Sequence, residues 1–267
     1  MSGGKQRIDG QLAYILHSYP YSETSLILDI FSREHGRLPL LARGARRPRS
    51  ALRGVLQAFQ PLELGWFGGG EVRTLAKAEW VGGMPLLGGT ALMLGYYLNE
   101  LLLKLLPRDD AHPTLFDCYA QTLQQLAEEQ GGAGNRAAPA PRGLGAPARL
   151  RQFEKNLLGE LGYGLLLERD ALSGAPLEAG HLYHYRIERG PVALSAAEEN
   201  SGPGEALPAQ APVQTLRGKT LLDLARDDYS DPRTLVEAKQ LMRMLINHHL
   251  SGQALQSRRV FVELQEL

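Results

Sequence analysis

The 267-residue sequence contains a single cysteine, Cys118. A disulfide needs two cysteines and a structural zinc site usually needs at least two, so neither a disulfide framework nor a cysteine-rich zinc site can form within the chain. A reducing compartment suits such a sequence. We therefore expect a cytoplasmic protein.

Hydrophobic runs long enough to span a membrane are also missing. The most apolar stretch, residues 91–106, is interrupted by Asn99, Glu100 and Lys104, which are too polar for the bilayer centre. The N-terminal residues MSGGKQRIDGQ lack the apolar core of a signal peptide. We expect no membrane association and interpret residues 91–106 as a core helix.

Sequence motifs of common active sites do not occur. The glycines of residues 65–70 are not followed by the lysine of a phosphate-binding loop, and no zinc-protease or serine-hydrolase motif is present. The histidines at 181 and 184 and at 248 and 249 lack a third ligand at a metal-binding spacing. We predict a protein that is not an enzyme and that holds no cofactor and no metal.

The net charge is zero, because 29 basic residues balance 29 acidic ones. The balance is not local, however. Residues 1–83 carry 11 Lys and Arg against 7 Asp and Glu, whereas residues 84–267 carry 18 against 22. The chain thus has a basic front and an acidic rear.

The strongest local signal is the sequence RLPLLARGARRPRSALR, residues 37–53, which we call the arginine segment. It contains no acidic residue and six arginines: Arg37, Arg43, Arg46, Arg47, Arg49 and Arg53. Guanidinium groups match phosphate oxygens and lose their hydration cheaply. Gly44, Pro48 and Gly54 predict an exposed, flexible loop after a strand. A polyanion is the first partner to consider, and a solvated loop without a ligand is the alternative.

Short apolar runs on both sides of this segment predict a small β-domain. The strands are expected at residues 12–16, 24–31, 37–42, 62–67 and 72–80, with turns at 19–23, 34–36 and 68–70. Five strands of this length favour a closed barrel of the OB type, although a β-sandwich fragment would have similar spacing.

The hydrophobic period becomes helical near residue 84. We therefore predict an α+β protein with an OB-fold nucleic-acid-binding domain at 1–83 and a mainly α-helical domain at 84–267. Helices are expected to begin at Thr90, Pro113, Arg149, Lys219 and Pro232, with Thr90 and Asp231 as N-caps. A hairpin is expected at 182–194, and mobile loops near 131–148 and 196–214.

Other side chains could extend a nucleic-acid site on the barrel. Arg73 and Lys77 lie on the last predicted strand. Rings that could stack on bases are Tyr14, Tyr19, Tyr21, Phe31 and Trp66. Burial in the core is the alternative for each ring.

Several segments resemble the RecO family of bacterial DNA repair and recombination mediator proteins along nearly the whole chain. They are GQLAYILHSYPYSETSLILDIFSREHGRLPLLARGARRPRSALRGVLQAF, GEVRTLAKAE, YYLNELLLKLLP, RQFEKNLLGELGYG and LINHHLSGQALQSRRVF. The resemblance implies an N-terminal OB fold, a C-terminal helical domain and a nucleoid-associated mediator without enzymatic turnover. Some family members hold zinc through four cysteines, but residues 168–190 contain none here, so zinc is not predicted.

The resemblance also implies partners. RecO-like proteins bind single-stranded DNA and anneal complementary strands, including strands coated by single-stranded DNA-binding protein (SSB), and with RecR they help load RecA. We expect single-stranded and double-stranded DNA, the SSB C-terminal tail and RecR as partners, with RecF as a further candidate.

Site residues follow from the resemblance and from the charge pattern. DNA contacts are assigned to the six arginines of the arginine segment, extended by Arg73 and Lys77. The SSB tail, which is acidic and ends in an aromatic residue and a carboxylate, is assigned to Arg151, Lys155, Phe116, Tyr119 and Leu150. Secondary DNA contacts are assigned to Lys239, Arg243, Arg258 and Arg259.

Two alternatives belong to other functional classes. A non-enzymatic OB-fold adaptor bound to RNA or ribosomes would prefer RNA and would not anneal DNA. A metal-dependent nuclease would cleave DNA in Mg²⁺ or Mn²⁺.

Overall fold

A computed structural model describes residues 7–132, 145–194 and 213–265 of the protein. Its first part is a closed barrel whose strands are β1 (Arg7–Tyr21), β2 (Ser25–Ser32), β3 (Gly36–Ala42), β4 (Leu62–Phe67) and β5 (Arg73–Trp80). The strand order is β1-β2-β3-β5-β4, with β3 and β5 parallel and the other neighbours antiparallel. This topology confirms the predicted five-stranded OB barrel.

Apolar side chains at alternating positions of the strands fill the interior of the barrel. Leu28 and Ile30 of β2 and Leu38 and Leu40 of β3 are fully buried and belong to the same core cluster as Trp66. Their two-residue spacing turns them inward, because successive side chains of a strand point to opposite faces. The intervening residues of β1, β2 and β3 therefore form the outer face of the barrel.

β1 is longer than predicted. The turn expected at residues 19–23 lies at residues 22–24, because Tyr19–Tyr21 continue the strand and pair with β2 opposite Ile27 to Ser25. β4 pairs only with the first half of β1, so the second half is an edge strand. Proline is tolerated there, because Pro20 has no amide hydrogen to donate to a second neighbouring strand. Two tyrosines are thereby placed on a strand and not in a turn.

The helices are α1 (Leu52–Val55), α2 (Gly89–Leu105), α3 (Pro113–Gly132), α4 (Ala146–Glu160), α5 (Gly218–Ala225), α6 (Pro232–His249) and α7 (Gln256–Gln265). Asp231 caps α6 as predicted, accepting a hydrogen bond from the Arg233 amide. Thr90 is not the N-cap of α2, because Gly88 occupies that position without a side-chain bond. None of the helices in the described ranges is long and apolar enough to cross a membrane.

The ends of the two predicted mobile loops belong to helices or to a strand. α3 continues through residue 132 and α4 begins at Ala146, with Ala148 buried, so only 133–144 of the predicted loop 131–148 lie outside the described residues. Residues 196–212 of the second loop also lie outside them, while Val213 and Gln214 belong to a strand. These ends of α3, α4 and β8 were not predicted, because their small or polar residues show little hydrophobic periodicity.

A second sheet consists of β6 (Leu182–Arg186), β7 (Gly190–Ala193) and β8 (Val213–Arg217), in the order β7-β6-β8. The β6–β7 hairpin confirms the prediction for residues 182–194. β8 was not predicted.

The contacts divide the chain into two compact units, Met1–Ala140 with Leu255–Leu267, and Pro141–Ala254. Helices α2, α3 and α7 therefore belong to the same unit as the barrel. The predicted domain boundary at residue 84 stays a prediction, and it lies where the chain changes from strand to helix.

Glu100 of α2 anchors α7 within the first unit. Its carboxylate accepts hydrogen bonds from the Gln256 amide at 2.8 Å and from the Ser257 amide and hydroxyl at 2.9 and 2.6 Å. These donors lie at the start of α7, where a negative charge is favourable. Burial raises the pKa of Glu100, but the bonds from Ser257 and Gln256, with one from Lys104, outweigh it and hold the pKa below its ordinary value.

Replacing Glu100 with glutamine is expected to lower the free energy of unfolding by about 1–2 kcal/mol at pH 7, because a neutral amide accepts these bonds less strongly. A carboxyl whose folded-state pKa is depressed stabilises the fold above its unfolded pKa, and this contribution disappears as the pH falls through the folded value. Urea denaturation should therefore show that the difference in the free energy of unfolding between the wild type and Glu100→Gln narrows below about pH 4. The exposed Glu128→Gln variant is the control, and a Glu100→Gln deficit that does not change with pH would contradict the assignment.

Candidate nucleic-acid interface

The arginine segment is folded onto the barrel through its backbone. The Arg46 amide donates to the Thr24 carbonyl at 2.8 Å, and the Arg47 and Ser50 amides close successive turns. Ala45 is buried in the barrel core, and Leu52, Val55 and Leu56 from the region of α1 pack against that core. The sequence predicted a flexible loop, but these anchors hold it in a defined path because apolar residues recur between the arginines.

Most of the arginine side chains project from this anchored backbone into solvent. The exposed ones are Arg43, Arg46, Arg47, Arg49 and Arg53. Within the part of the chain that the structure describes, none of these five has a carboxylate within the 4.0 Å of an ion pair. Only Arg46 makes a local side-chain bond, donating to the Ser22 carbonyl at 3.2 Å. Five unneutralised guanidinium groups thus share one surface.

Arg37 is engaged within the protein. Its Nε donates to the Leu106 carbonyl at 3.0 Å, and Nη1 lies 3.7 Å from the Asp29 carboxylate. The side chain is 14% exposed, and burial lowers the pKa of its guanidinium. Its predicted DNA contact stays a prediction, but its geometry in this structure serves to hold the chain after α2 against β3.

Arg73 and Lys77 are paired with carboxylates. Arg73 lies 2.6 Å from the Asp109 carboxylate, and Lys77 lies 2.9 Å from Glu79 and 4.0 Å from Glu63. A phosphate would have to compete with these carboxylates. Their predicted DNA contacts also stay predictions.

The candidate stacking rings divide into two groups. Tyr14, Phe31 and Trp66 are buried, with exposures of 5%, 0% and 0%, whereas Tyr19 and Tyr21 are 45% and 50% exposed. Burial therefore removes three rings from any binding surface. The two exposed tyrosines lie two residues apart on β1, so they share the outer face of the barrel.

These two tyrosines and their strand neighbours form a surface that we call the barrel face. Tyr21 lies opposite Ser25, Tyr19 lies opposite Ile27, and Ile27 lies opposite Leu41. Ser22, whose carbonyl Arg46 contacts, follows Tyr21 directly, so the arginine segment adjoins one end of this surface. Exposed rings beside free guanidinium groups can stack on bases while neutralising phosphates, without reading a sequence.

The candidate SSB-tail residues are each buried or paired within their own unit. Phe116 and Tyr119 are 1% and 0% exposed and pack on Tyr14 within the first unit. Leu150 and Arg151 are buried in the second unit, where Arg151 donates to Glu154 at 2.7 Å.

The fifth candidate of that group, Lys155, forms a 2.6 Å ion pair with Asp227 and donates to the Leu224 carbonyl at 2.9 Å. All five side chains thus have a structural contact in the folded chain. Their assignment to the SSB tail stays a prediction.

The secondary DNA candidates lie on two helices. Lys239 and Arg243 are exposed on α6 in the second unit, four residues apart. On α7, Arg259 is exposed, while Arg258 lies over the Tyr97 ring at 5.7 Å from its centroid. Their role stays a prediction as well.

The histidines make contacts other than metal coordination. His249 stacks on Tyr163 with ring centroids 3.7 Å apart, and His248 lies 3.5 Å from Glu188. Burial and the neighbouring His248 lower the pKa of His249. Across residues 7–132, 145–194 and 213–265, no three His, Cys, Asp or Glu side chains are grouped to hold a metal ion.

One exposed arginine near the barrel face was missed by sequence reasoning. Arg108 follows α2 and forms a parallel bridge with Arg37 at the start of β3. In the sequence it is a single arginine after Pro107, far from the arginine segment, so no local pattern marks it.

Comparisons with known proteins match the chain along almost its whole length. Two family models match it, Recombination protein O N terminal over residues 10–84 and Recombination protein O C terminal over residues 88–259. The DNA repair protein RecO of Dechloromonas aromatica (strain RCB) is 54% identical over 263 residues, which cover 98% of this chain and 99% of that protein. The DNA repair protein RecO of Azoarcus sp. (strain BH72) is 55% identical with the same coverage, and that of Nitrosospira multiformis is 45% identical over the full length of both chains.

Proposed function

Because the chain belongs to the RecO family of DNA repair proteins, we propose that it is a recombination mediator that binds single-stranded DNA through the arginine segment and the barrel face. It acts by binding and not by catalysis. The observation that carries this proposal is the group of five exposed arginines on a backbone that the barrel anchors, with no carboxylate partner among the described residues.

An anchored cationic surface suits DNA better than a mobile one. Side chains on a folded backbone need less ordering when phosphates bind, so less conformational entropy is lost. Tyr19 and Tyr21 supply rings beside the cations, and base stacking on such rings tolerates every base. The site therefore favours single strands of any sequence.

The same charges explain strand annealing. Two complementary strands repel each other through their phosphates, and bound guanidinium groups neutralise part of that charge and release counterions. The barrier to pairing falls while the bases of the incoming strand stay accessible. The protein then also contacts the double-stranded product, and no step consumes ATP.

Protein partners bring this activity to its substrate. We propose that the helical region binds the acidic C-terminal tail of SSB, which raises the effective concentration of the arginine segment at coated DNA. Together with RecR, and in a pathway of the RecF type, the protein then helps to load RecA. Arg151 and Lys155 remain the candidate cations for the tail, provided that its binding opens their present contacts with Glu154 and Asp227.

The test of DNA binding is the double variant Arg46→Ala/Arg47→Ala, titrated with a labelled single-stranded oligonucleotide across a salt series. Each lost phosphate contact on a single strand should reduce the steepness of log K against log salt by about 0.7, so the double variant should flatten it by about 1.4. Both side chains are exposed and lack an ion pair, so folding should be unaffected. Annealing of complementary strands should slow in parallel.

The matched control is Arg226→Ala/Arg233→Ala, which removes two exposed arginines from the second unit. This control tests whether the removal of any two positive charges weakens DNA binding. Equal salt dependence for wild type and the Arg46/Arg47 variant would reject the arginine segment as the DNA site.

A further inference from the structure

The connector between α2 and α3, residues 106–112, lies directly on the barrel. The Asp109 amide donates to the Arg37 carbonyl at 2.9 Å, and the Arg37 Nε donates back to the Leu106 carbonyl at 3.0 Å. The Asp109 carboxylate also holds Arg73 of β5 at 2.6 Å. These contacts to two strands give the connector a defined path along β3.

Arg108 is exposed at the middle of this connector. It pairs with Arg37 in a parallel bridge, so it occupies the place of a further strand residue beside the start of β3. Among the residues that the structure describes, no carboxylate lies within ion-pair distance of its guanidinium. Asp109 and Asp110 follow it in sequence, but Asp109 is occupied by Arg73 and Asp110 lies 3.4 Å from His112.

Tyr19 connects this position to the barrel face. Its neighbour in register, Ile27, is two residues from Asp29 on the same side of β2. The Asp29 carboxylate lies 3.7 Å from Nη1 of Arg37, and Arg37 pairs with Arg108 in the parallel bridge. Partial burial and the Asp29 carboxylate raise the pKa of Tyr19. The ring and Arg108 therefore belong to one neighbourhood.

The two cationic places lie at opposite ends of the barrel face. Arg46 adjoins the end at Ser22 to Ser25, and Arg108 adjoins the end where Arg37 lies opposite Phe31. Six residue steps along β2 lead from Ser25 to Phe31, which corresponds to about 20 Å along an extended strand. That length suits the run of several nucleotides that an OB fold binds.

We propose that Arg108 binds the phosphate of a nucleotide whose base stacks on Tyr19, so that the DNA path runs from the arginine segment across the barrel face to the α2–α3 connector. This inference rests on the proposed function and adds to it a second phosphate site outside the barrel strands. The connector thereby takes part in binding as well as in holding the fold together.

The test is a double-mutant cycle of Arg108→Ala and Tyr19→Leu, read as single-stranded DNA affinity across a salt series. Arg108→Ala should weaken binding about fivefold at moderate salt and flatten the salt dependence by about 0.7. Tyr19→Leu should weaken binding with an unchanged salt slope, because it removes a ring and not a charge. The double variant should lose affinity by a smaller factor than the product of the two single-variant factors, since both side chains hold the same nucleotide.

Arg108→Lys is the matched control, because it keeps the charge and should restore the salt slope. Thermal unfolding of each variant checks that the connector still docks. If Arg46→Ala/Arg47→Ala weakens binding and Arg108→Ala does not, the connector site is rejected while the proposed function stands. If the affinity losses of Arg108→Ala and Tyr19→Leu multiply in the double variant, the two side chains do not hold the same nucleotide. If every arginine variant binds DNA like the wild type, the proposed function itself is rejected.

Discussion

Replacing Gly36 with alanine is expected to lower the free energy of unfolding by about 3 kcal/mol or more. Gly36 has φ +64°, a region that costs an L-residue about 1–2 kcal/mol. A Cβ at this position would also overlap the backbone carbonyl of Asp110, which cannot rotate away. The connector would have to leave the barrel, and with it the bond from the Asp109 amide to Arg37.

Gly10→Ala is the control that separates these two causes. Gly10 has nearly the same backbone angle, φ +66°, but no heavy atom lies within 4 Å of the position of its Cβ. It should therefore lose only the conformational part, about 1–2 kcal/mol. Urea denaturation of both variants measures the difference, and equal losses would show that the close approach of the connector does not contribute to stability.

The Gly36 variant also has a functional consequence. If the connector leaves β3, Arg108 moves away from Tyr19, and DNA affinity should fall by as much as in Arg108→Ala. Gly10→Ala should leave DNA affinity unchanged, because its change of structure is local to β1.

Replacing Asn99 with leucine is expected to cost about 3 kcal/mol, although the two side chains are similar in size. Asn99 is 2% exposed, and its Nδ2 donates to the Leu16 carbonyl of β1 at 2.8 Å. Its Oδ1 accepts from the Tyr119 hydroxyl of α3 at 2.6 Å. Loss of the amide leaves a buried carbonyl without this donor and a buried hydroxyl without this acceptor, and each costs about 1–3 kcal/mol.

The Leu16 carbonyl fixes the orientation of the Asn99 amide, because a carbonyl oxygen only accepts and the amide nitrogen is the group that can donate to it. Burial raises the pKa of Tyr119 well above its ordinary value, so the phenol is a neutral donor at physiological pH. The amide of Asn99 therefore presents its oxygen to Tyr119 and its nitrogen to Leu16. One asparagine joins a barrel strand to both of the helices that follow.

Tyr119→Phe completes a double-mutant cycle for this contact. If the hydroxyl acts mainly through Asn99, the Asn99→Leu/Tyr119→Phe variant should recover about 1–2 kcal/mol relative to the sum of the single losses. Urea denaturation of the four proteins gives this coupling. Additive losses would contradict a stabilising hydrogen bond between the two side chains.

Local sequence patterns were sufficient for most of the strands and helices, but not for β8, α1 and α7. The alternation in β2 and β3 and the Asp231-Pro232 start of α6 each depend on residues only a few positions apart. The five exposed cations were predictable for the same reason, since a run of arginines without acids cannot be buried. The start of α2 was misplaced because a glycine, without any side-chain signal, occupies its N-cap.

Residue order alone determined the α+β class of the chain, its basic front and its resemblance to a family, because none of these depends on tertiary contacts. Tertiary structure alone decided which aromatic rings stay exposed, since Tyr14 and Tyr19 look alike in sequence but only Tyr14 meets the rings of α3. It also decided that Arg37 holds the connector and that Arg108 pairs with Arg37 in a parallel bridge. Those outcomes depend on packing between segments about 70 to 105 residues apart, and no local pattern encodes such a contact.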